Sequence, residues 1–436
     1  MSTKRGRSHG KRASERGAGL RYGPALMARL DALATITEVP GQLTRRYLSP
    51  AHVQSIEQVK TWMTGAGMSV CTDPLLSLFG RYVGKAARAP AIMIGSRLDT
   101  VVDAGRYDGG LGVLAAIAIV DELNRCGERL GHAIEVAAFG EEEGSRFSAH
   151  ILTSSALIGA VKPALLDLKD ADGISVREAL AQARGDARAY KACARRKGEI
   201  AAYLELHIEQ GPVLESKGLP LAAVTAINGS VRALVTVTGF AGHAGTVPMD
   251  ARRDALTAAS EMIVAIERLG RGQRDLVVTV GRIKALPGAP NVIPGRVEFT
   301  IDMRSPSDSV RKCAHAALLR EFRAIAKGRD VGVAIDTYQE NPATALDEGV
   351  IEAATEAIAA CGEEPLRLSS GAGHDAGIMA KHCPSGMIFV RCKDGISHNP
   401  AESITAEDAD LGVAVMLEAL RRLDARFGGG ALGSRR

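Results

Sequence analysis

Short apolar runs alternate with apolar stretches of helical length through the first half of the chain. AIMIG (91–95) reads as a buried strand, LGVLAAIAIVDELN (111–124) as a helix apolar over most of its surface, and residues 134–139 as the next strand. Such βαβ alternation predicts a mostly parallel sheet covered by helices. Functional groups then gather just beyond the carboxyl ends of the strands. Near residue 229 the texture changes. VRALVTVTGF reads as a strand, residues 251–270 as one long helix, and LVVTVGRIKAL (276–286) as one further strand. GRVEFTIDMR (295–304) alternates strictly. Val297, Phe299, Ile301 and Met303 face one way, and Arg296, Glu298, Thr300, Asp302 and Arg304 the other, as in a sheet with one wet face. A helix over about 309–327 and a strand over 331–337 follow. After Asn341-Pro342 the pattern returns to helix, Gly-rich loop and a buried strand, GMIFVRC (386–392). The expected fold class is α/β. A body with a mostly parallel sheet (21–228 and 343–427) is interrupted by a smaller α+β unit (229–342).

Composition narrows the function classes. With 436 residues, 46% hydrophobic and 24% charged, the chain is long enough for two or three ordinary soluble domains. Its net charge of +4 comes largely from Lys4, Arg5, Arg7, Lys11, Arg12 and Arg16. Residues 1–20 are therefore expected to be a disordered basic tail, and the near-neutral body gives no case for a nucleic-acid partner. No apolar stretch reaches the length of a membrane span or follows the tail as a signal would, so no membrane partner is expected. Seven scattered cysteines without a CxxC pair argue against a disulfide framework or a thiolate zinc site, and a reducing cytoplasm is the expected compartment. No GxxxxGK(S/T) and no well-placed GxGxxG occurs, so a nucleotide-binding reading finds no support.

Candidate chemistry lies in four segments at expected strand ends. Asp108 sits in a turn before a helix. Glu141, Glu142 and Glu143 follow the strand ending at Phe139. His207 shares with Glu205 one face of YLELHIEQGP, and His398 lies in ISHNPAE. Carboxylate and imidazole together suit a divalent ion such as zinc or manganese. Three adjacent glutamates repel one another, and a cation would relieve them while leaving one carboxylate free to take a proton from water. His243 lies between glycines in FAGHAGTVPM, Asn291 in GAPNVIPG, and Arg304 ends the alternating strand, where it could clamp a carboxylate through two hydrogen bonds. SGAGHDA carries His374 and Asp375. No strand–elbow–helix motif surrounds Ser370, so a serine triad is not expected.

The ordered run GSRLDTV, YDGGLGV, EEEGSRF, LELHIEQGPVLE, GFAGHAGTVPM, PNVIPGRVEFTIDMRS, SGAGHDA and SHNPAE resembles the M20-type amidase/carbamoylase family of dinuclear metallohydrolases, which includes allantoate amidohydrolase and N-carbamoyl-L-amino acid hydrolase. The resemblance spans about residues 25–425. It implies a catalytic domain with an inserted lid that dimerises, and a cofactor of one or two divalent ions, manganese or zinc with cobalt or nickel as alternatives. Asp108 would bridge the ions, Glu143 and His398 would hold one, and His207 the other. Glu142 would be the general base. His243, Asn291 and Arg304 would bind substrate from the lid, His243 and Asn291 across a homodimer interface. Gln210, Gly373 and His374 would line the pocket. The implied substrate is a small ureido carboxylic acid: allantoate, in purine catabolism, or an N-carbamoyl-L-amino acid. This chain departs from the family's Gly-Ser-His-Leu-Asp pattern, because Arg97 holds the histidine position. A guanidinium offers only donors and cannot ligate a metal. Pairing of Arg97 with Asp99 or Asp108 would substitute its charge for a missing ion, and a low-activity or non-catalytic ureido-acid-binding homologue is the alternative this raises.

Overall fold

The computed structural model describes residues 19–428, so the basic segment before residue 19 and the residues after 428 lie outside it. The described chain divides into two compact units. One comprises residues up to Thr225, Leu346–Leu368 and His374 onward, and the other comprises Ala226–Ala345 with Ser369–Gly373.

In the first unit, strands β1 (Ser69–Thr72), β2 (Leu78–Tyr82), β3 (Ala91–Arg97), β4 (Ile134–Phe139), β5 (Ile200–Ile208) and β6 (Leu221–Ile227) join the Ser385–Val390 strand in one sheet. Its centre, β4, β3, β5 and Ser385–Val390, is parallel, while β1, β2 and β6 run antiparallel at the flanks. Every residue of β3 and β4 is buried. Helices cover both faces of a parallel sheet, which is why these strands read as continuous apolar runs rather than alternating ones. Register then fixes the site. Arg97 pairs with Phe139 and His207 with Phe389, so the ends of four parallel strands lie level. The helix expected over 111–124 spans Gly110–Arg125 and starts within two residues of Asp108, placing a carboxylate at the positive end of its dipole.

Within the Pro50–Gly65 helix of this unit, His52 is buried, and neither ring nitrogen has a hydrogen-bond partner. Burial, helped by the charges of Arg45 and Arg146, pushes it down to about 3. Below about pH 6.5 the unfolded chain binds a proton here that the folded chain refuses, so this contribution to stability falls as pH drops towards 3. His52→Leu should remove about 2 kcal/mol of the stability lost between pH 7 and pH 5, measured by urea unfolding at both values. Equal losses in the two proteins would refute it.

The second unit is an antiparallel sheet with helices on one face. Its main strands are β7 (Gly229–Thr238), β9 (Val277–Thr279), β10 (Ile283–Leu286), β12 (Arg296–Ser305) and β13 (Gly332–Asn341), with a separate pair formed by β8 (Gly242–His243) and β11 (Val292–Ile293). Val297, Phe299, Ile301 and Met303 are buried with Met262, Leu318 and Phe322, and the opposite side of β12 stays partly open, following the alternation. Two expectations are corrected. The helix begins at Ala255 rather than 251, because the Asp254 carboxylate accepts from the Leu256 and Thr257 amides and fixes the start there. The run 276–286 is two strands, both paired with β12, and the chain breaks pattern around Gly281.

Candidate metal and hydrolytic site

In the first unit the structure brings Arg97, Asp108, Glu142, Glu143, His207, Gln210, His374 and His398 to the carboxyl ends of the parallel strands. Asp108 is the hub. Its Oδ1 lies 2.7 Å from Arg97 Nη2 and 3.1 Å from His207 Nε2, and its Oδ2 lies 3.2 Å from His398 Nε2 and 3.2 Å from Gln210 Nε2. Glu402, the last residue of SHNPAE, holds this turn by accepting the Tyr107 and Asp108 amides at 2.8 and 3.0 Å and the Ser397 hydroxyl at 3.0 Å. The approach is so close that a Cβ on Gly105 would stand 2.2 Å from the Glu402 carboxyl carbon. In the sequence, the signal for Glu402 is only its short polar spacing from His398.

Arg97 does not pair with the Asp99 side chain. Its Nε donates to Glu142 Oε2 at 2.7 Å and its Nη2 to both Asp108 Oδ1 and Glu143 Oε1, at 2.7 and 2.5 Å. Only the Asp99 carbonyl receives a bond from it, at 3.3 Å. The Asp99 carboxylate instead accepts the Glu142 and Glu143 amides, at 3.3 and 3.1 Å, and so positions the glutamate turn. The expectation of an Asp108 pair holds, and the Asp99 alternative is replaced by two glutamate pairs.

The electrostatics follow from this packing. Burial works against the charge of Asp108, but Arg97 and hydrogen bonds from His207 and His398 hold it well below the usual carboxylate range. Burial pushes Glu142 well above that range although Arg97 opposes it, and the charge of Glu143 adds to the rise. Burial also lifts Asp99 to about 6 against the pull of Arg97. His398 is raised by its bond to Asp108, and His207 is raised because Asp108 outweighs its burial.

Among the described residues, two sets have donor atoms that lie, within each set, no more than 4.8 Å apart: Asp108, Glu143 and His398, and Glu205, His207 and His374. The first fits a divalent ion, with two carboxylates, one imidazole and a side open to solvent, since the His398 side chain is 48% exposed. The second is enclosed. Glu205 already accepts from Ser96 Oγ, the Tyr203 hydroxyl and the Ala376 amide, and His374 packs edge-on to His207 with ring centroids 4.4 Å apart. Glu205 thus braces the strand carrying His207. The period-two pattern that put both residues on one face was its only sequence signal. Gln210 and His398 both adopt left-handed backbone, with φ of 57° and 55°, an uncommon conformation for residues with a Cβ that points both side chains at Asp108.

The remaining candidates lie in the second unit. His243 pairs with Val292 across β8 and β11, and the Ala244 amide donates to the Asn291 carbonyl at 3.0 Å. The Gly245 amide donates to His243 Nδ1 at 3.1 Å, which assigns the ring proton to Nε2 on an exposed side chain. Arg304 is bidentate, but its partner is Asp302, through Nε and Nη2 at 2.8 and 2.9 Å. Its Nη1 donates to the Gly371 carbonyl, two residues before Gly373. A carboxylate ligand must use what remains of that guanidinium. The adjoining groove, about 520 Å³, is lined by Arg232, Thr279, Thr300, Asp302, Arg304 and Tyr338 among others.

The chain resembles known proteins over most of its length. Residues 98–422 match the model of peptidase family M20/M25/M40. The chain is 40% identical to an N-carbamoyl-L-amino acid amidohydrolase of Geobacillus stearothermophilus, over 92% of this chain and 98% of the relative. It is 38% identical to an allantoate deiminase of Arabidopsis thaliana, over 90% and 81%. An amidase of the hydantoinase/carbamoylase family from Burkholderia multivorans superposes with a TM-score of 0.87 at 34% identity, covering 92% of this chain and 97% of that structure. The chain belongs to peptidase family M20/M25/M40, as a metal-dependent amidohydrolase acting on carbon–nitrogen bonds other than peptide bonds.

Proposed function

We propose that the protein hydrolyses the terminal ureido carbon–nitrogen bond of a small carboxylic acid, with allantoate as first substrate, giving ureidoglycine, ammonia and carbon dioxide. The observation that carries this is the donor set Asp108, Glu143 and His398 with a further buried carboxylate, Glu142, beside it. A divalent ion held by those three residues would supply polarisation of the substrate carbonyl and easier proton loss from water. Glu142 is the base: Oε2 is occupied by Arg97, which leaves Oε1 to take a proton from water and deliver it to the departing nitrogen. Its burial raises its proton affinity and suits that task. His243 offers an Nε2–H donor to the substrate carbonyl oxygen with Asn291 beside it, and Arg304 takes the substrate carboxylate. Gln210, Gly373 and His374 line the pocket.

A second reading, hydrolysis of an N-carbamoyl-L-amino acid, is favoured by the 40% identical relative. Both substrates present a carboxylate and a ureido carbonyl to the same groups. Ammonia release from allantoate and from a panel of N-carbamoyl-L-amino acids, each assayed with manganese, zinc, cobalt and nickel, separates them. Turnover of the amino acid derivatives alone would replace the first reading, and turnover of none would reject both.

The protein acts as a homodimer in this proposal, with His243 completing the partner's site. Phe240, Met249 and Val264 are exposed apolar side chains of the second unit that burial in a dimer would take out of water. Mixing His243→Ala with Glu142→Gln should regenerate activity, because one site of each heterodimer regains both residues. No gain after verified subunit exchange would show that His243 does not act in trans.

A further inference from the structure

We infer that the Arg97 guanidinium is a resident cation occupying one of the family's two ion positions, so that this chain holds a single divalent ion, between Asp108, Glu143 and His398. The inference rests on the hydrolase reading above and names the metal complement of that site. Asp108 remains a bridge, but an unequal one. Its Oδ1 faces Arg97 and His207, and its Oδ2 faces His398, Gln210 and Ser397. One oxygen serves the guanidinium and the other serves the ion.

The place for the guanidinium is built into the backbone. Gly109, at φ 71°, stands where a Cβ would lie 2.5 Å from Arg97 Cγ, 2.6 Å from Nη1 and 2.9 Å from the Arg97 carbonyl. Any side chain there would collide with Arg97 as well as strain the turn. The Arg97 side chain is only 5% exposed, and those of its three carboxylate partners no more than 9%. Charge balance points the same way. The guanidinium and one divalent ion together neutralise Asp108, Glu142 and Glu143, while Asp99 is opposed by the buried Arg45. A second divalent ion beside the guanidinium would set like charges a few ångströms apart in a desolvated place, which is costly.

His207 is consequently reassigned. In the resemblance it binds the ion that Arg97 now replaces. Here its Nδ1 meets the Ile208 carbonyl at 2.9 Å and its Nε2 meets Asp108 Oδ1 on the Arg97 side. It positions Asp108 rather than holding metal.

The test counts ions in the full-length protein, loaded with manganese or zinc and then dialysed. Plasma mass spectrometry should give one ion per chain for the wild type, one for His207→Gln, none retained for His398→Ala, and two for Arg97→His. Electron paramagnetic resonance of the manganese forms should show an isolated ion in the wild type and a coupled pair in Arg97→His. Two tight ions in the wild type, loss of the ion in His207→Gln, or a folded Arg97→His that stays at one would each overturn the inference. If Arg97→His does not fold, the wild-type and His207→Gln counts still decide. Turnover with two ions sinks this inference alone, and one ion without turnover of any ureido acid sinks the proposed function alone.

Discussion

Glu142→Gln should lower kcat by about 10²-fold or more, the scale of a positioned proton transfer, while leaving fold and metal content intact. The amide keeps an oxygen for Arg97 Nε, so the 2.7 Å contact that orients this side chain survives. Glu143 and His398 are untouched. What is lost is the second carboxylate oxygen and its affinity for a proton. Rates on the best ureido substrate, with circular dichroism and metal content in parallel, check this. A near wild-type rate would remove Glu142 from its role.

A larger loss is expected from Asp108→Asn, about 10³-fold or more in kcat/KM, because it removes both a metal ligand and the charge that organises the site. Hydrogen-bond donors converge on both Asp108 oxygens: Arg97 Nη2 on Oδ1, and Gln210 Nε2 and the Ser397 hydroxyl on Oδ2. An amide must turn its own N–H groups towards one of these sets, so one side of the bridge breaks. The variant should retain no tightly bound ion after dialysis. Full metal retention with unchanged kcat/KM would contradict the hub role.

Much of this was legible in the chain, for physical reasons that differ by residue. Val297 to Met303 alternate because one face of β12 is packed and the other is not, and a period of two carries that information without any partner. The segments carrying Asp108, Glu141 to Glu143, His207 and His398 were readable as neighbours because a parallel sheet delivers its loops to one edge, whereas the choice of Asp108, Glu143 and His398 as one set rested on the family resemblance. The wiring of Arg97 was not readable. Its choice of Glu142 and Glu143 over the Asp99 side chain depends on Asp99 being spent on two backbone amides, a three-dimensional fact. The left-handed backbone of Gln210 and His398 left no trace either, since neither is a glycine. The start of the helix at Ala255 is written in Asp254, a capping residue whose signal is weaker than the longer apolar periodicity around it.

The pairing of β5 with the Ser385–Val390 strand has a consequence for the order of assembly. These two are parallel neighbours in the middle of the sheet, Tyr203 against Ser385 and His207 against Phe389, yet all of Ala226–Ala345 lies between them in sequence. Contacts so distant along the chain form slowly, because a long loop must close before they return any stability. The intervening unit pairs its own strands over shorter spans and can form ahead of them. His398 follows the late strand, so it reaches Asp108 only once that strand has docked. A nascent or partly opened chain would carry Asp108 and Glu143 already clustered around Arg97, with their charges compensated, before any imidazole from the C-terminal segment arrives. Arg97 would therefore guard an unfinished carboxylate cluster against its own repulsion during folding.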